Sequence, residues 1–328
     1  MQVTRRELMK VTAGLALTSF PVHAAGSPGP LRMVIGQKPG GGTDMNARLI
    51  AEYLRLHYGA DITIENQDKA GGVLALQQAI SADDLAISTL EASVIFDAIT
   101  SESPLINLQD IALLDNFIVA TRVIAVNSSL GFSTMEDWRK SGKTLRMGAR
   151  NLNYHQALEG RLASRLTGCK IDVVPGYSTA ETKAAFAAGE LDMLIGSYSS
   201  IVKLTKEGSA AILARTTPTA NEDATASALP SLETAAIDPS LLDVAPIFAV
   251  ILSMQCPFAT SVAKSADHVA VAQAMADTKK DSAFLAAAKQ AKLTIDPRGQ
   301  AEIRESFAKI IKDAPQWRTR LSTLLVAE

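Results

Sequence analysis

Leu31-Arg32-Met33-Val34-Ile35-Gly36-Gln37-Lys38-Pro39-Gly40-Gly41-Gly42-Thr43-Asp44 runs from an apolar stretch through a glycine-rich loop into a helical pattern. Leu31 to Gly36 reads as a buried strand, because the run is short, apolar and closed by glycine. Thr43 to Tyr58 reads as a helix. Thr43 can cap it, Met45, Leu49, Tyr53 and Leu56 mark one face, and Gly59 stops it. Between them, consecutive glycines let backbone N–H groups come close to a ligand. The helix that follows adds unpaired donors and the positive end of its dipole. Two readings of this loop stay open: a seat for a carboxylate or phosphate with Lys38 at its rim, or a plain tight turn between strand and helix.

The same device recurs one unit later. Asp61 to Asn66 reads as the next strand, and Lys69-Ala70-Gly71-Gly72 opens a second helix through Ile80. Adjacent parallel strands would put both loops on one sheet edge, where two helix N-termini converging on one spot favour an anion. Leu85 to Thr89 (strand) and Glu91 to Ile99 (helix) continue an α/β rhythm. Ile111 to Phe117 and Thr121 to Val126 are closely spaced apolar runs that suit a crossing between domains. Beyond them Met135 to Lys140 (helix), Thr144 to Gly148 (strand) and Tyr154 to Leu166 (helix) resume the alternation, followed by Ile171 to Val174, Thr179 to Ala188, Leu191 to Ile195, Ile201 to Lys206 and Ala211 to Arg215. Asn221 to Pro230 is polar and small and reads as a surface loop. Val244 to Met254 is strongly apolar and reads as a strand returning to the first domain. From Ala263 the pattern is helical to the end, interrupted near Ile295-Asp296-Pro297. The expected architecture is α/β with two lobes, residues 31–123 plus 248–328 in one and 124–247 in the other. Ligands of such folds sit in the cleft at the carboxyl ends of the strands.

Two loops of the second half carry further candidates. Gly148-Ala149-Arg150-Asn151-Leu152-Asn153-Tyr154-His155 joins a strand to a helix. Arg150 either pairs with a carboxylate or is an ordinary surface charge, and Asn151 and Asn153 either cap the helix or bind ligand. His155 suits a packed position better than a ligand contact. In Pro175-Gly176-Tyr177-Ser178-Thr179, Tyr177 offers a ring and a hydroxyl to a cleft, and Thr179 suits the helix cap. Signals for an enzyme are thin. Gly176-Tyr177-Ser178-Thr179-Ala180 misses a G-x-S-x-G elbow at its last position. His57, His155 and His268 stand in no H-x-x-x-H or H-E-x-x-H pattern, and no C-x-x-C or G-x-G-x-x-G occurs.

The 328 residues are 47% hydrophobic and 20% charged, with a formal net charge of −2. With 5% aromatic residues and no basic block, the chain is no candidate for nucleic acid binding. Cys169 and Cys256 are its only cysteines; one pair is no framework, and two buried, unpaired thiols are favoured over a bridge. Thr4-Arg5-Arg6-Glu7-Leu8-Met9-Lys10, the apolar run Val11 to Phe20 and the small-residue end Val22-His23-Ala24 form the three parts of a removable leader. The paired arginines point to the twin-arginine route. The run is far shorter than the ~20 apolar residues of a spanning helix, so residues 1–24 are expected to be cleaved and the remainder to be periplasmic.

Pro39-Gly40-Gly41-Gly42-Thr43-Asp44, followed by Ala47-Arg48, Glu65-Asn66 and Ala70-Gly71-Gly72, resembles the Bug family, the solute receptors of tripartite tricarboxylate transporters. The resemblance runs from Leu31 to about Leu321, with weaker support from Val173-Val174-Pro175, Gly189-Glu190-Leu191-Asp192, Asp313 and Trp317. It implies a two-lobed periplasmic binding protein of type II, a Venus flytrap that closes over a small carboxylate-bearing organic anion. It implies a monomer without cofactor or metal that hands its solute to a membrane transporter; a sensor of the same fold is the alternative, a periplasmic hydrolase the least favoured. Gly40, Gly41, Gly42, Thr43 and Asp44, with Ala70, Gly71 and Gly72, are implied to hold one carboxylate, with Lys38 beside them. Arg150, Asn151, Asn153, His155, Tyr177 and Ser178 are implied to contribute from the second lobe. Departures from the family cluster around the solute: Gln37 and Lys38 replace an aromatic residue and a proline, Ser81 to Asp84 is a shortened segment, Arg150 and Tyr154 stand in a loop normally built of small residues, and Ala245 to Ser253 lacks tryptophan. The carboxylate device is kept while the walls that choose the rest of the solute are altered.

Overall fold

A computed structural model describes residues 28–218, 224–264 and 267–325. The expected leader lies outside these residues. The predicted alternation is present as β1 (Leu31–Ile35), α1 (Gly42–Tyr58), β2 (Ile62–Asn66), α2 (Val73–Ile80), β3 (Ala86–Thr89) and α3 (Ala92–Thr100). The chain continues through β4 (Ile111–Asn116), β5 (Ile118–Val119), β6 (Arg122–Asn127), α4 (Met135–Ser141), β7 (Thr144–Ala149) and α5 (His155–Thr167). Then come β8 (Lys170–Pro175), α6 (Thr179–Ala187), β9 (Met193–Ser197), α7 (Tyr198–Lys206), β10 (Ala210–Arg215) and α8 (Ala224–Ala228). The last elements are α9 (Ala245–Ser253), β11 (Pro257–Ser261), α10 (Val269–Thr278), α11 (Ser282–Gln290), β12 (Thr294–Ile295) and α12 (Gln300–Leu325).

Two five-stranded sheets result, one ordered β2-β1-β3-β11-β4 and the other β10-β6-β9-β7-β8, while β12 pairs with β5. β1 lies parallel to both β2 and β3, and β7 lies parallel to both β8 and β9. A central parallel strand is covered on both faces, which is why β1 is a continuous apolar run. Leu31, Met33 and Ile35 pack with Ile50 and Leu54 of α1, and Val34 packs with Ala75 and Ala79 of α2 on the other face. In the second half, Ile124 and Val126 pack with Trp138, Leu145 and Met147. A further cluster joins the halves, setting Leu158 and Leu162 of α5 among Phe96, Phe248 and Ile303.

Four expectations are corrected. The apolar run Val244 to Met254 is helix α9, and the returning strand is β11, one segment later. The run is buried on nearly all sides, so its periodicity cannot separate helix from strand. Its length and a proline in the first turn decide for helix. The buried face of α1 is Ala47, Ile50, Ala51, Leu54 and Tyr58, whereas Met45 and Leu56 are 63% and 65% exposed. Small alanines weigh little in a hydrophobic reading but allow a helix to sit close against a sheet. The caps also move: Gly41 precedes α1, whose first turn holds Thr43, and Ser178 rather than Thr179 caps α6, in a reciprocal pair with Glu181. Within Asn221 to Pro230, Ala224–Ala228 forms a short helix that buries Ala226. Cys169 and Cys256 are free and buried, as expected.

Candidate ligand-binding site

Parallel neighbours send their carboxyl ends to the same edge, so the loops after β1, β2 and β3 share one edge and those after β7, β8 and β9 share another. A cavity of about 240 Å³ lies where these edges face each other. Gln37, Gly42, Thr43, Thr89 and Glu91 line it from the first sheet, and Arg122, Tyr154, His155, Thr182 and Ser197 from the second. Gln37 Nε2 donates to Tyr154 Oη at 3.0 Å and joins the two sides.

The first glycine loop is shaped by its own polar groups. Gly40, at φ 76°, donates its N–H to Asp44 Oδ2 at 2.8 Å, and Gly41 N–H donates to the Lys38 carbonyl at 3.0 Å. Asp44 is 1% exposed and also accepts from Arg48 Nε at 3.0 Å and Asn66 Nδ2 at 2.8 Å. Burial pushes its carboxyl up, but Arg48, Asn66 and the Gly40 N–H outweigh that and hold it below the usual carboxylate range. Asp44, Gly40 and Gly41 therefore set the loop, while Gly42 and Thr43 face the cavity. Thr43 N–H donates to Gln37 Oε1 at 3.3 Å. Lys38 is exposed, and its charge reaches Glu181 of α6 on the opposite side.

The second loop backs the first. Ala70, Gly71 and Gly72 take φ values of 51°, 65° and 94°, three left-handed residues in succession. A Cβ on Gly36 would come within 2.9 Å of Gly72 Cα, and a Cβ on Gly72 within 2.7 Å of Glu91 Cγ. Ser93 Oγ fixes the turn by donating to the Gly71 carbonyl at 2.9 Å. Gly72 is pressed between Gly36 and Glu91, Gly71 lies against Ser93, and Ala70 is exposed.

On the second side, Tyr154 is the N-cap residue of α5 and His155 its first residue. The Arg150 guanidinium stands 4.7 Å from the Tyr154 ring centroid, in cation–π reach. Burial, then repulsion from Arg122 and Arg150, holds His155 well below its ordinary value, so its ring is neutral near pH 7. Asn151 and Asn153 are exposed and form a local turn, Asn151 Oδ1 accepting from Asn153 N–H at 3.0 Å. Gly176 and Tyr177 donate their N–H groups to the Arg150 and Ala149 carbonyls, binding the two loops together. Of the sequence-predicted residues, Gly42, Thr43 and His155 line the cavity; the others shape or back those loops or stand exposed beside them.

Two charged residues that line the cavity carry no local motif. Arg122, at the start of β6, donates to Glu159 of α5 through Nε at 2.9 Å and Nη2 at 2.5 Å. The Thr216 hydroxyl completes that carboxylate. Glu91, 6% exposed, accepts from Gln37 Nε2 at 3.2 Å through Oε2, whereas Oε1 has no partner. Burial pushes its carboxyl up to about 7, against the pull of Gln37, Arg150 and Thr43. Arg150 Nη1 and His155 Nδ1 are also buried without partners. Glu91 follows β3, so the strand-end rule that picks out the glycine loops reaches it too; Arg122 begins an antiparallel strand and gives no such signal. Among the described residues no cluster of His, Cys, Asp and Glu could hold a metal ion. The arrangement can bind by hydrogen bonds and charge.

No protein-family model matches the chain. The UPF0065 protein in gbd 5'region of Cupriavidus necator is 35% identical over 78 residues, 23% of this chain and 24% of that protein. The chain thus spans about a quarter of that relative's length. Among solved structures, a TctC solute binding protein from Polaromonas gives a TM-score of 0.66 at 14% identity, over 92% of this chain and 100% of its own. The periplasmic binding protein BugD gives 0.67 at 17%, over 90% and 97%. MatC from Rhodopseudomonas palustris, solved with bound malate, gives 0.67 at 15%, over 94% and 100%. The chain has the two-lobed α/β fold of the TctC and Bug solute-binding proteins.

Proposed function

We propose that the protein is a periplasmic solute receptor of the Bug type, exported with its leader removed. It captures a small carboxylate-bearing organic anion between its lobes and delivers it to a membrane transporter of the tripartite tricarboxylate type. Residues 31–123 plus 248–328 make up most of one lobe and 124–247 most of the other, the exchanges falling within β6 and α9. The observation that carries this reading is the cavity itself. It lies at the facing strand ends, with Gly42 and Thr43 of the α1 N-terminus in its wall and Gln37 bonded across it to Tyr154. Helix N-termini favour carboxylates through their unpaired N–H groups and dipole. MatC was solved with malate, and an R. palustris protein of the same fold with adipate, both small carboxylates.

A thermal-shift screen of the purified protein against mono-, di- and tricarboxylates and amino acids tests this. A solute at ~100 times its dissociation constant stabilises the protein by about 2.7 kcal/mol, a readily measured shift. Silence across every carboxylate would refute the receptor reading.

A further inference from the structure

We propose that Glu91 reads a positively charged amino group on the solute, so that the captured molecule is a carboxylic acid bearing an ammonium group rather than an all-carboxylate anion. This rests on the cavity being a solute site and narrows what fills it.

Glu91 is the single acidic residue among those lining the cavity. Gln37 fixes its Oε2, and its Oε1 is buried without a donor. Buried acceptors of this kind are rare in folded proteins and call for a partner. The Thr43 hydroxyl pulls on the carboxylate by hydrogen bonding but completes no well-formed bond to Oε1. Arg122 is committed to Glu159, and Arg150 acts on Glu91 through charge while its own Nη1 stays unpartnered. The other groups around Glu91 are Thr43, Tyr154 and the Cys256 thiol, whose burial pushes it far above its ordinary value. His155 is neutral, and Lys183 of α6 lines the same cavity.

A second carboxylate next to this oxygen would be repelled when Glu91 is ionised. An ammonium group would be attracted and would satisfy the open valence. Thr43 connects the two ends of such a solute. It belongs to the α1 N-terminus, which suits a carboxylate, and it also acts on Glu91. Donors for a carboxylate beside an acceptor for an ammonium fit an amino acid, in which both charges sit on one short carbon frame.

The test is calorimetric titration of the protein with matched pairs: L-aspartate and succinate, L-glutamate and glutarate, L-alanine and propionate. The amino member should bind about ten- to a hundredfold more tightly, the range for a hydrogen bond to a buried charge. Its affinity should rise with pH up to about 7, where Glu91 ionises, because the ammonium prefers the ionised carboxylate. Glu91→Gln should flatten that slope and shrink the preference within each pair. If the desamino acids bind as tightly as the amino acids, or bind more tightly as pH falls, the Glu91 inference is overturned while the receptor reading stands. If no member of any pair binds while another carboxylate does, the inference fails and the receptor reading stands; silence across every carboxylate ends both.

Discussion

Glu159 and Glu91 are both buried acids beside one cavity, at 1% and 6% exposure, yet they are built to opposite ends. Glu159 accepts from Arg122 through both oxygens and from the Thr216 hydroxyl. The three partners stand at the start of β6, in α5 and just after β10, so this charge ties the second sheet to its helix. Glu91 has one oxygen held by Gln37 and one left open. Burial with full satisfaction is architecture. Burial with an open valence on a residue that lines a cavity is capacity for a ligand.

Breaking the satisfied pair should have the largest effect. Arg122→Met leaves Glu159 charged and alone, and removing one partner of a buried pair costs about 3–5 kcal/mol. Denaturant unfolding reads this directly. Adding Glu159→Gln to that variant should recover much of the loss, because the orphaned charge goes with it. A loss below about 1 kcal/mol would place the pair in the class of exposed bridges and dissolve the contrast with Glu91.

The open acid makes its own signature in pH. Its folded-state value of about 7 lies above the ordinary 4.5, so the folded protein holds this proton more tightly than the unfolded chain. The stability it contributes is full below pH 4.5 and is lost as pH rises towards 7. At about 1.4 kcal/mol per unit this amounts to roughly 3 kcal/mol. Glu91→Gln cannot titrate, so the wild-type-minus-variant difference should fall across that window. Asp97 and Asp115, also pushed up by burial, are common to both proteins and cancel. A flat difference would mean that Glu91 is ionised in the fold and carries no open valence.

The order of elements along the first half was legible because strand–glycine–helix units announce themselves locally: β1 through α3 follow from apolar runs and stop residues a few positions apart. The site was legible only in its frame. Gly42, Thr43 and His155 reach the cavity, but Gly40 and Asp44 spend their polar groups on each other, and sequence offers no sign of which N–H groups a loop consumes internally. Gln37 was visible as a departure from the family, yet its bond to Tyr154 spans more than a hundred residues and depends on how the lobes meet. Arg122 and Glu159 are likewise paired only by packing. The α9 misreading has another cause. A fully buried segment loses the polar face that reveals its period, so helix and strand look alike.

Gly72→Ala should act on the open acid from behind. The position has φ 94°, and a Cβ there would meet Glu91 Cγ at 2.7 Å. Left-handed strain and overpacking each cost about 1–3 kcal/mol, so a loss of at least about 2 kcal/mol is expected. The displacement should also move Glu91, so the pH difference curve should change shape as stability falls. Gly59→Ala supplies the control: it has comparable strain at φ 78° and open space where its Cβ would stand, and it should leave that curve alone.

Tyr154→Phe is the smallest change and the finest test. It removes the acceptor for Gln37 Nε2 at 3.0 Å but keeps the ring beneath Arg150. One neutral hydrogen bond contributes about 1 kcal/mol, and the loss in unfolding free energy should be of that order. Gln37 keeps its bond to Glu91 at 3.2 Å, so the acid remains half-satisfied and its pH curve should be unchanged. Solute affinity should fall several-fold, because the bond that joins the two sides of the cavity is gone. If stability and the pH curve shifted together instead, Tyr154 would belong with Glu91 in a single polar unit, and the open valence would be a property of the pair.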